Sequence, residues 1–449
     1  MGEPFALEEL EVIDSTIKMF TMPVLKADVP LLQETWKHEQ AVREARLQKL
    51  GVSVKELRSA DKFAALLRQA GVEPETKDGK NGDIFAFAKT DMFMVGLLDS
   101  DDETVRTLAE ARLGSKSSII QERCVKIADM ASRGNLAIYL NYAGAHTTRW
   151  SSGDGMGFQN LTRGSALRKA IMAPPGCLIL SPDLSQIEFR VGSYLAGQWD
   201  IIELLRAGND PYIGTAARFY GVEPTKVNKT QRHLGKVIEL ACLFGMSWRR
   251  LQATCKVGAL GGPPIFLSDE EAKSAIEIYR NSHPAVVNYW KEAGRMIARL
   301  AGGDPLQWGP VTVKDGKLWA PNGTMLHYPH LHYHRPTAEE CEKLPEWNWN
   351  GYWRYRNRHG WTNIYASLLV ENVVQWLSRI VLSQAMLRIK ALGYHIMGTT
   401  HDELWVLLKQ DGNEERHREI IMNEMRREVP WLPGLPLDCE AEMGERYEH

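Results

Sequence analysis

The stretch Cys177-Leu-Ile-Leu-Ser-Pro-Asp-Leu-Ser-Gln-Ile-Glu-Phe-Arg190 constrains this chain more than any other, because its hydrophobic period changes midway. The first half is a short apolar run that ends in a carboxylate, Asp183, and the second half spaces its apolar residues like the first turns of a helix. A strand therefore carries an acid to its end. A second delivery of this kind comes far along the chain, where Tyr394-His-Ile-Met-Gly-Thr-Thr-His-Asp-Glu-Leu-Trp-Val-Leu-Leu408 reads as strand, turn and strand with Asp402 and Glu403 in the turn. Two carboxylates offered at strand ends from distant parts of a sequence suit a pair of hard divalent cations, and two Mg²⁺ ions are the expected cofactor.

At 449 residues and 44% hydrophobic content, the chain is long enough for two or three domains with their own cores. It has no window of about 18 apolar residues and no basic-then-apolar leader, so no membrane span or secretion is expected and a cytoplasmic location is. The six cysteines are scattered without CxxC spacing, which implies neither a zinc site nor a disulfide framework, and free thiols are expected. A formal net charge of −2 is not that of a bulk nucleic-acid binder. Binding DNA would require basic residues segregated along one groove.

Apolar spacing predicts helices over 7–22, 29–50 and 105–133, and a capped short helix beginning at Ser59. The charged, glycine-rich run 73–83 reads as a surface loop. From 198 to 299 the pattern is helical with a break at 258–264, and 318–328 reads as a hairpin around Asn322-Gly323. Residues 347–361 interleave aromatics with Arg354, Arg356 and Arg358, a composition suited to base stacking and phosphate contact. A packed hairpin with a charged outer face fits that composition equally well, and the sequence leaves both open. Residues 365–392 form one long predicted helix before the second acid-bearing hairpin, and the chain closes in short elements around 430–440. Glu8, Glu9, Glu11 and Asp14 lie on a helical pattern and lack a strand-borne Asp-x-Glu context.

Asp183-Leu-Ser-Gln-Ile-Glu-Phe-Arg190 resembles the first palm motif of family A DNA polymerases, and His401-Asp402-Glu403 resembles the last. Between them, Arg232-His-Leu-Gly-Lys-Val-Ile-Glu-Leu-Ala-Cys-Leu-Phe-Gly-Met246 resembles the fingers motif, so three motifs stand in the family's order. Leu369-Val-Glu-Asn-Val-Val-Gln375 is similar to the bacteriophage branch. The resemblance implies an α+β multidomain fold with a right-hand architecture: an antiparallel palm sheet, helical fingers and a helical thumb. The boundaries it implies are a thumb over 1–134, the first part of the palm over 135–200, fingers over 201–300, a hairpin-rich insertion over 301–363 and the second part of the palm over 364–449. A proofreading nuclease would need roughly 150 further residues ahead of the thumb, so none is expected within this chain.

The same resemblance implies roles residue by residue. Asp183 and Asp402 would bridge the two ions, with the backbone carbonyl of Leu184 as a further ligand and Glu403 assisting from the edge. Arg232, Lys236, Leu240 and Phe244 recur every four positions and would form the nucleotide-facing stripe of one helix, with Lys236 also protonating the leaving pyrophosphate. A local pair between Lys236 and Glu239 is the alternative. Gln186 and Tyr212 are further nucleotide-binding candidates, Tyr212 standing where many relatives carry a histidine. Glu188 has two compatible readings, as the N3 residue of a capping box with Ser185 and as the group that closes off the 2′ side of the sugar. Arg149, Gln159, Asn160, Arg163 and His401 would contact DNA, the first four through minor-groove acceptors common to every base pair. Glu371, Asn372 and Gln375 are candidates for polar contacts of the long helix, and Ser115-Lys-Ser-Ser118 for a phosphate contact in the thumb.

Two departures from the family pattern stand out: Leu240 where relatives usually carry an aromatic residue, and Phe244 where they usually carry tyrosine. Altered discrimination of sugar analogues is expected from the first. The expected function is DNA-directed addition of deoxynucleotides to a primer 3′ end, by a monomer acting on primer–template DNA and deoxynucleoside triphosphates, with other replication proteins as further partners. A single-subunit RNA polymerase is the nearest alternative, and Glu188 argues against it. A non-catalytic DNA-binding relative is the other, and retention of both aspartates argues against that.

Overall fold

The change of period at 177–190 produces the strand Cys177–Leu184 followed by the helix Ile187–Ala196. A computed structural model of the chain describes residues 6–77, 82–88, 91–116, 119–153, 155–341 and 349–448. Cys177–Leu184 is an inner strand of a four-stranded antiparallel sheet, with Glu403–Lys409 on one side and Cys439–Gly444 on the other. His395–Thr400 completes the sheet as the hairpin partner of Glu403–Lys409. Gly398 is required in that hairpin, because a Cβ there would meet the Trp405 ring at 2.8 Å. The closing segment, read from sequence only as short elements, thus contributes an edge strand beside Asp183.

One face of the sheet packs on the helix Ala366–Ala391, whose Leu369, Val373, Leu377, Ile380 and Ala385 are fully buried. A helix apolar on nearly every side belongs in the middle of a core. The helix Leu7–Thr21 is anchored to it by a buried ionic knot: Glu9 accepts from Arg379 (2.6 Å), Asn322 (2.7 Å) and Tyr142 (2.5 Å). The predicted hairpin is present, with Trp319 opposite Met325 and Gly323 at φ 78° in its turn.

Two further cores stand apart. One lies among the helices between Trp199 and Gly302, and the other joins Leu57, Phe63 and Leu67 to Val105, Leu108 and Ala109. The predicted helix over 105–133 is two helices, Glu103–Lys116 and Ile119–Ser132. The run 73–83 is not wholly loop, since Thr76–Lys77 pairs with Ile84–Phe85. The side chains of Ser115-Lys-Ser-Ser118 lie outside the described residues.

Candidate active site

Asp183 sits one residue before the end of its strand, in register with Glu403 on one side and Glu440 on the other. Asp402 occupies the two-residue turn between the neighbouring strands, beside His401 at φ 53°. The Asp402 carbonyl accepts the Leu184 N–H at 3.1 Å, which fixes the turn to the strand end that carries Asp183. Leu184 itself is in register with Cys439. The two aspartates, distant in sequence, therefore share one lip of the sheet.

Like charge accumulates at this lip. Although part of its surface is accessible, Asp402 is pushed up to about 8, first by burial of the carboxylate and then by the Glu188 and Asp183 charges, against which Arg149 acts only partly. Such a displacement is typical of carboxylates buried close to one another. Among the described residues no three His, Cys, Asp or Glu side chains converge into a complete metal cage. Two carboxylates that repel each other still fit Mg²⁺, which keeps several waters and takes its remaining ligands from substrate oxygens. Arg163 reaches Asp183 at 3.4 Å.

Opposite the lip stands the helix Lys229–Cys242, begun by an Asn228–Gln231 capping box. Gly235 lets it lie against the helix Pro211–Tyr220, since a Cβ there would collide with the Tyr212 carbonyl. Arg232 is held by Asp210, which also caps that second helix, and its guanidinium lies 5.3 Å from the Tyr212 ring centre. Burial and the neighbouring Arg232 and Arg163 charges lower Lys236, while Glu440 and Asp183 act in the other direction. Lys236 is thus within electrostatic reach of the acids. Between helix and sheet opens a cavity of about 770 Å³, walled by Gln186, Glu188, Leu240, Phe244, Tyr365 and Asp402.

Several expectations are corrected. Ser185 and Glu188 form no capping box: the strand runs to Leu184, Gln186 becomes the N-cap at φ 55°, and the buried Ser185 hydroxyl has no hydrogen bond among the described residues. Glu188 instead accepts from Arg149 at 2.5 and 2.9 Å. Burial and Glu371 raise it, while Arg149 lowers it. Glu239 does not pair with Lys236, because it points the other way into the helical core, bonding Thr215 and lying 3.2 Å from His283. Tyr212 is buried behind Arg232 rather than exposed to the cavity, and its hydroxyl has no hydrogen bond among the described residues. The helical stripe ends at Leu240, since the helix stops at Cys242 and Phe244 reaches the cavity from the following turn.

Of the DNA-contact candidates, Arg149, Arg163 and His401 gather at the lip and Asn160 is exposed. Gln159 is not available there: it is buried, accepting from Ser152 and donating to the Thr399 carbonyl, each at 3.4 Å. Asn372 is likewise internal and donates to the Tyr328 hydroxyl at 3.0 Å, whereas Glu371 lines the cavity and accepts from Gln375. Sequence reasoning passed over Glu440 and Asp210. The alternation Cys-Glu-Ala-Glu-Met after Asp438 was a strand signal, and the Asp210-Pro211 pair was a helix start.

Comparisons with known proteins place the chain in a family. The family model described as DNA polymerase family A matches residues 29–300. The thermostable DNA polymerase I of Thermus filiformis is 26% identical over 319 residues, which cover 69% of this chain and 32% of that protein. The DNA polymerase of Bacillus phage SP02 is 27% identical over 292 residues, covering 63% of this chain and 43% of that one. The chain thus matches well under half the length of these relatives. The polymerase domain of Pol1 from M. smegmatis, solved with DNA primer-template and dNTP, superposes with a TM-score of 0.71 over 98% of this chain and 70% of that one at 19% identity, a likeness of fold. The chain belongs to DNA polymerase family A.

Proposed function

We propose that this chain is a polymerase region that adds deoxynucleotides to a primer 3′ end under direction of a template. In this reading the four-stranded sheet is the palm, the helices over 201–300 are the fingers, and the helical module over 1–134 is the thumb. The 301–363 insertion stands between fingers and palm, and the branch of the family is that of bacteriophage enzymes. The observation that carries the reading is the lip itself, with Asp183 and Asp402 fixed together across from Lys236 and Arg232. Asp183 and Asp402 would hold the divalent ions, joined by the Leu184 carbonyl, with Glu403 at the edge. When bound, those ions stabilise charge on the attacking and leaving oxygens of the transfer.

The chain's own residues do the rest. Arg232 gives up its contact with Asp210 to an incoming triphosphate near the N-terminal half of its helix, where the dipole favours anions. Lys236, already lowered by burial and two guanidiniums, is suited to hand a proton to pyrophosphate. Leu240 and Phe244 pack on sugar and base from one side of the cavity. Glu188, held in place by Arg149, closes the sugar's 2′ side and favours a maker of DNA over a maker of RNA. The test is Mg²⁺-dependent primer extension by this chain and by Asp183→Ala, run with deoxy- and with ribonucleotides. Extension with deoxynucleotides alone, lost in the variant, is expected. Duplex binding without extension would favour a non-catalytic relative, and efficient ribonucleotide extension an RNA polymerase.

A further inference from the structure

The arginine- and tryptophan-rich segment that the sequence left open folds as a three-stranded antiparallel sheet, His332–His334, Tyr352–Asn357 and Gly360–Ile364. Its pairing sorts the side chains. Trp353, Tyr355 and Ile364 share the inner face, with Tyr355 and Ile364 buried in the main core and Tyr355 edge-on to Tyr328 at 5.1 Å. His332, Arg354, Arg356 and Trp361 share the outer face. There Arg354 lies 4.7 Å over the Trp361 ring and donates to His332 at 3.2 Å, while His332 meets Trp361 edge-on at 5.0 Å. Arg356 is exposed directly across from Trp361, and the indole is 50% exposed.

We propose that this outer face is a docking platform for single-stranded nucleic acid. The strands and the turn joining the last two carry Arg354, Arg356 and Arg358 and no carboxylate, and among the described residues Glu340, from the segment after the first strand, meets this face only at His334, 3.2 Å away at the end remote from Arg356. On a chain of net charge −2, that is the local segregation of cations which a phosphate backbone selects. A half-exposed indole fixed by a guanidinium and an imidazole offers a stacking surface that accepts any base. Those groups suit an unpaired strand better than a duplex, whose base faces are covered. Tyr365, which follows the last strand directly, lines the same cavity as Asp402, so a strand lying on the platform leads toward the candidate active site. That role as a template guide rests on the polymerase reading, while the binding itself does not.

The test uses the full chain with fluorescein-labelled oligothymidylate of about 30 nucleotides and a blunt duplex of equal length, followed by anisotropy across salt. Trp361→Ala and Arg356→Gln are each expected to weaken single-strand binding about tenfold and the duplex much less. Arg356→Gln should also reduce the salt slope by about 0.7. Trp361→Phe, which keeps a ring face, should restore most of the affinity and so separates stacking from loss of fold. Unchanged single-strand affinity in both variants, or an equal loss on the duplex, would overturn the platform even if the chain extends primers normally. If the wild-type chain extends no primer but the variants lose single-strand binding as expected, the platform stands and the polymerase reading falls.

Discussion

Glu9 and Asp402 are both carboxylates set into the main body of the molecule, and their surroundings are opposite. Glu9 has a guanidinium, an amide and a phenol directed at its two oxygens, and Arg379 is itself flanked by the Tyr142 and Trp150 rings. Asp402 has Glu188 and Asp183 as its strongest charged neighbours and sits high at about 8. The first arrangement ties four parts of the fold together. The second gathers acids whose mutual repulsion, with burial, keeps Asp402 from ionising until a cation or higher pH compensates it, and no contact among the described residues fully offsets that cost. Buried charge is therefore not one category: the sign of the neighbours separates scaffold from function.

The sharpest way to break this contrast is to remove one charged group from each side. Asp402→Ala should lower primer extension at least about 10³-fold, since it withdraws a group that acts on the reacting centre, while leaving the melting temperature unchanged or higher. Arg379→Ala should do the reverse, costing about 3–5 kcal/mol in denaturant unfolding because it strands Glu9, with extension by the remaining folded protein intact. Equal loss of both properties in both variants would erase the distinction.

Next in size is Glu188→Ala. With the capping box gone from consideration, the substitution should raise ribonucleotide insertion about tenfold or more, read as relative incorporation of matched nucleotide pairs, with little change in stability. A large stability loss with unaltered sugar selection would return Glu188 to a structural role.

A smaller effect concerns pH. Between the ordinary 3.8 and about 8, Asp402 keeps its proton in the folded chain but loses it on unfolding. Unfolding then releases a proton, so the stability of the metal-free protein should fall as pH rises through that window. Asp402→Asn should flatten the profile and melt roughly 2 °C or more above the parent near pH 8. Smallest of all, Leu240→Phe should change deoxynucleotide insertion by no more than about threefold while shifting discrimination against 3′-deoxy analogues. The measurement is a competition assay between the two nucleotide types.

The two aspartates are legible in the sequence because Asp183 ends a short apolar strand and Asp402 sits in the turn of a strand–turn–strand pattern, and both patterns are read locally. Glu440 was hidden for the opposite reason: it is placed beside Asp183 by the pairing of the last strand, a contact that no local pattern encodes. The Ser185–Glu188 box failed because a correct spacing was overridden by the left-handed turn at Gln186 that bends strand into helix. Periodicity located the Arg232 helix but could not say that Glu239 faces a buried histidine rather than solvent. The arginine-rich sheet was ambiguous until its register separated one face from the other.

A working site requires Asp183 and Asp402 to hold the same ions. Replacing Mg²⁺ with Fe²⁺ and generating hydroxyl radicals should cut the chain at two places, near 183 and near 402, with both cuts suppressed by excess Mg²⁺ and lost together in Asp183→Asn. Cleavage at only one of these sites, or cleavage at both that survives Asp183→Asn, would contradict it.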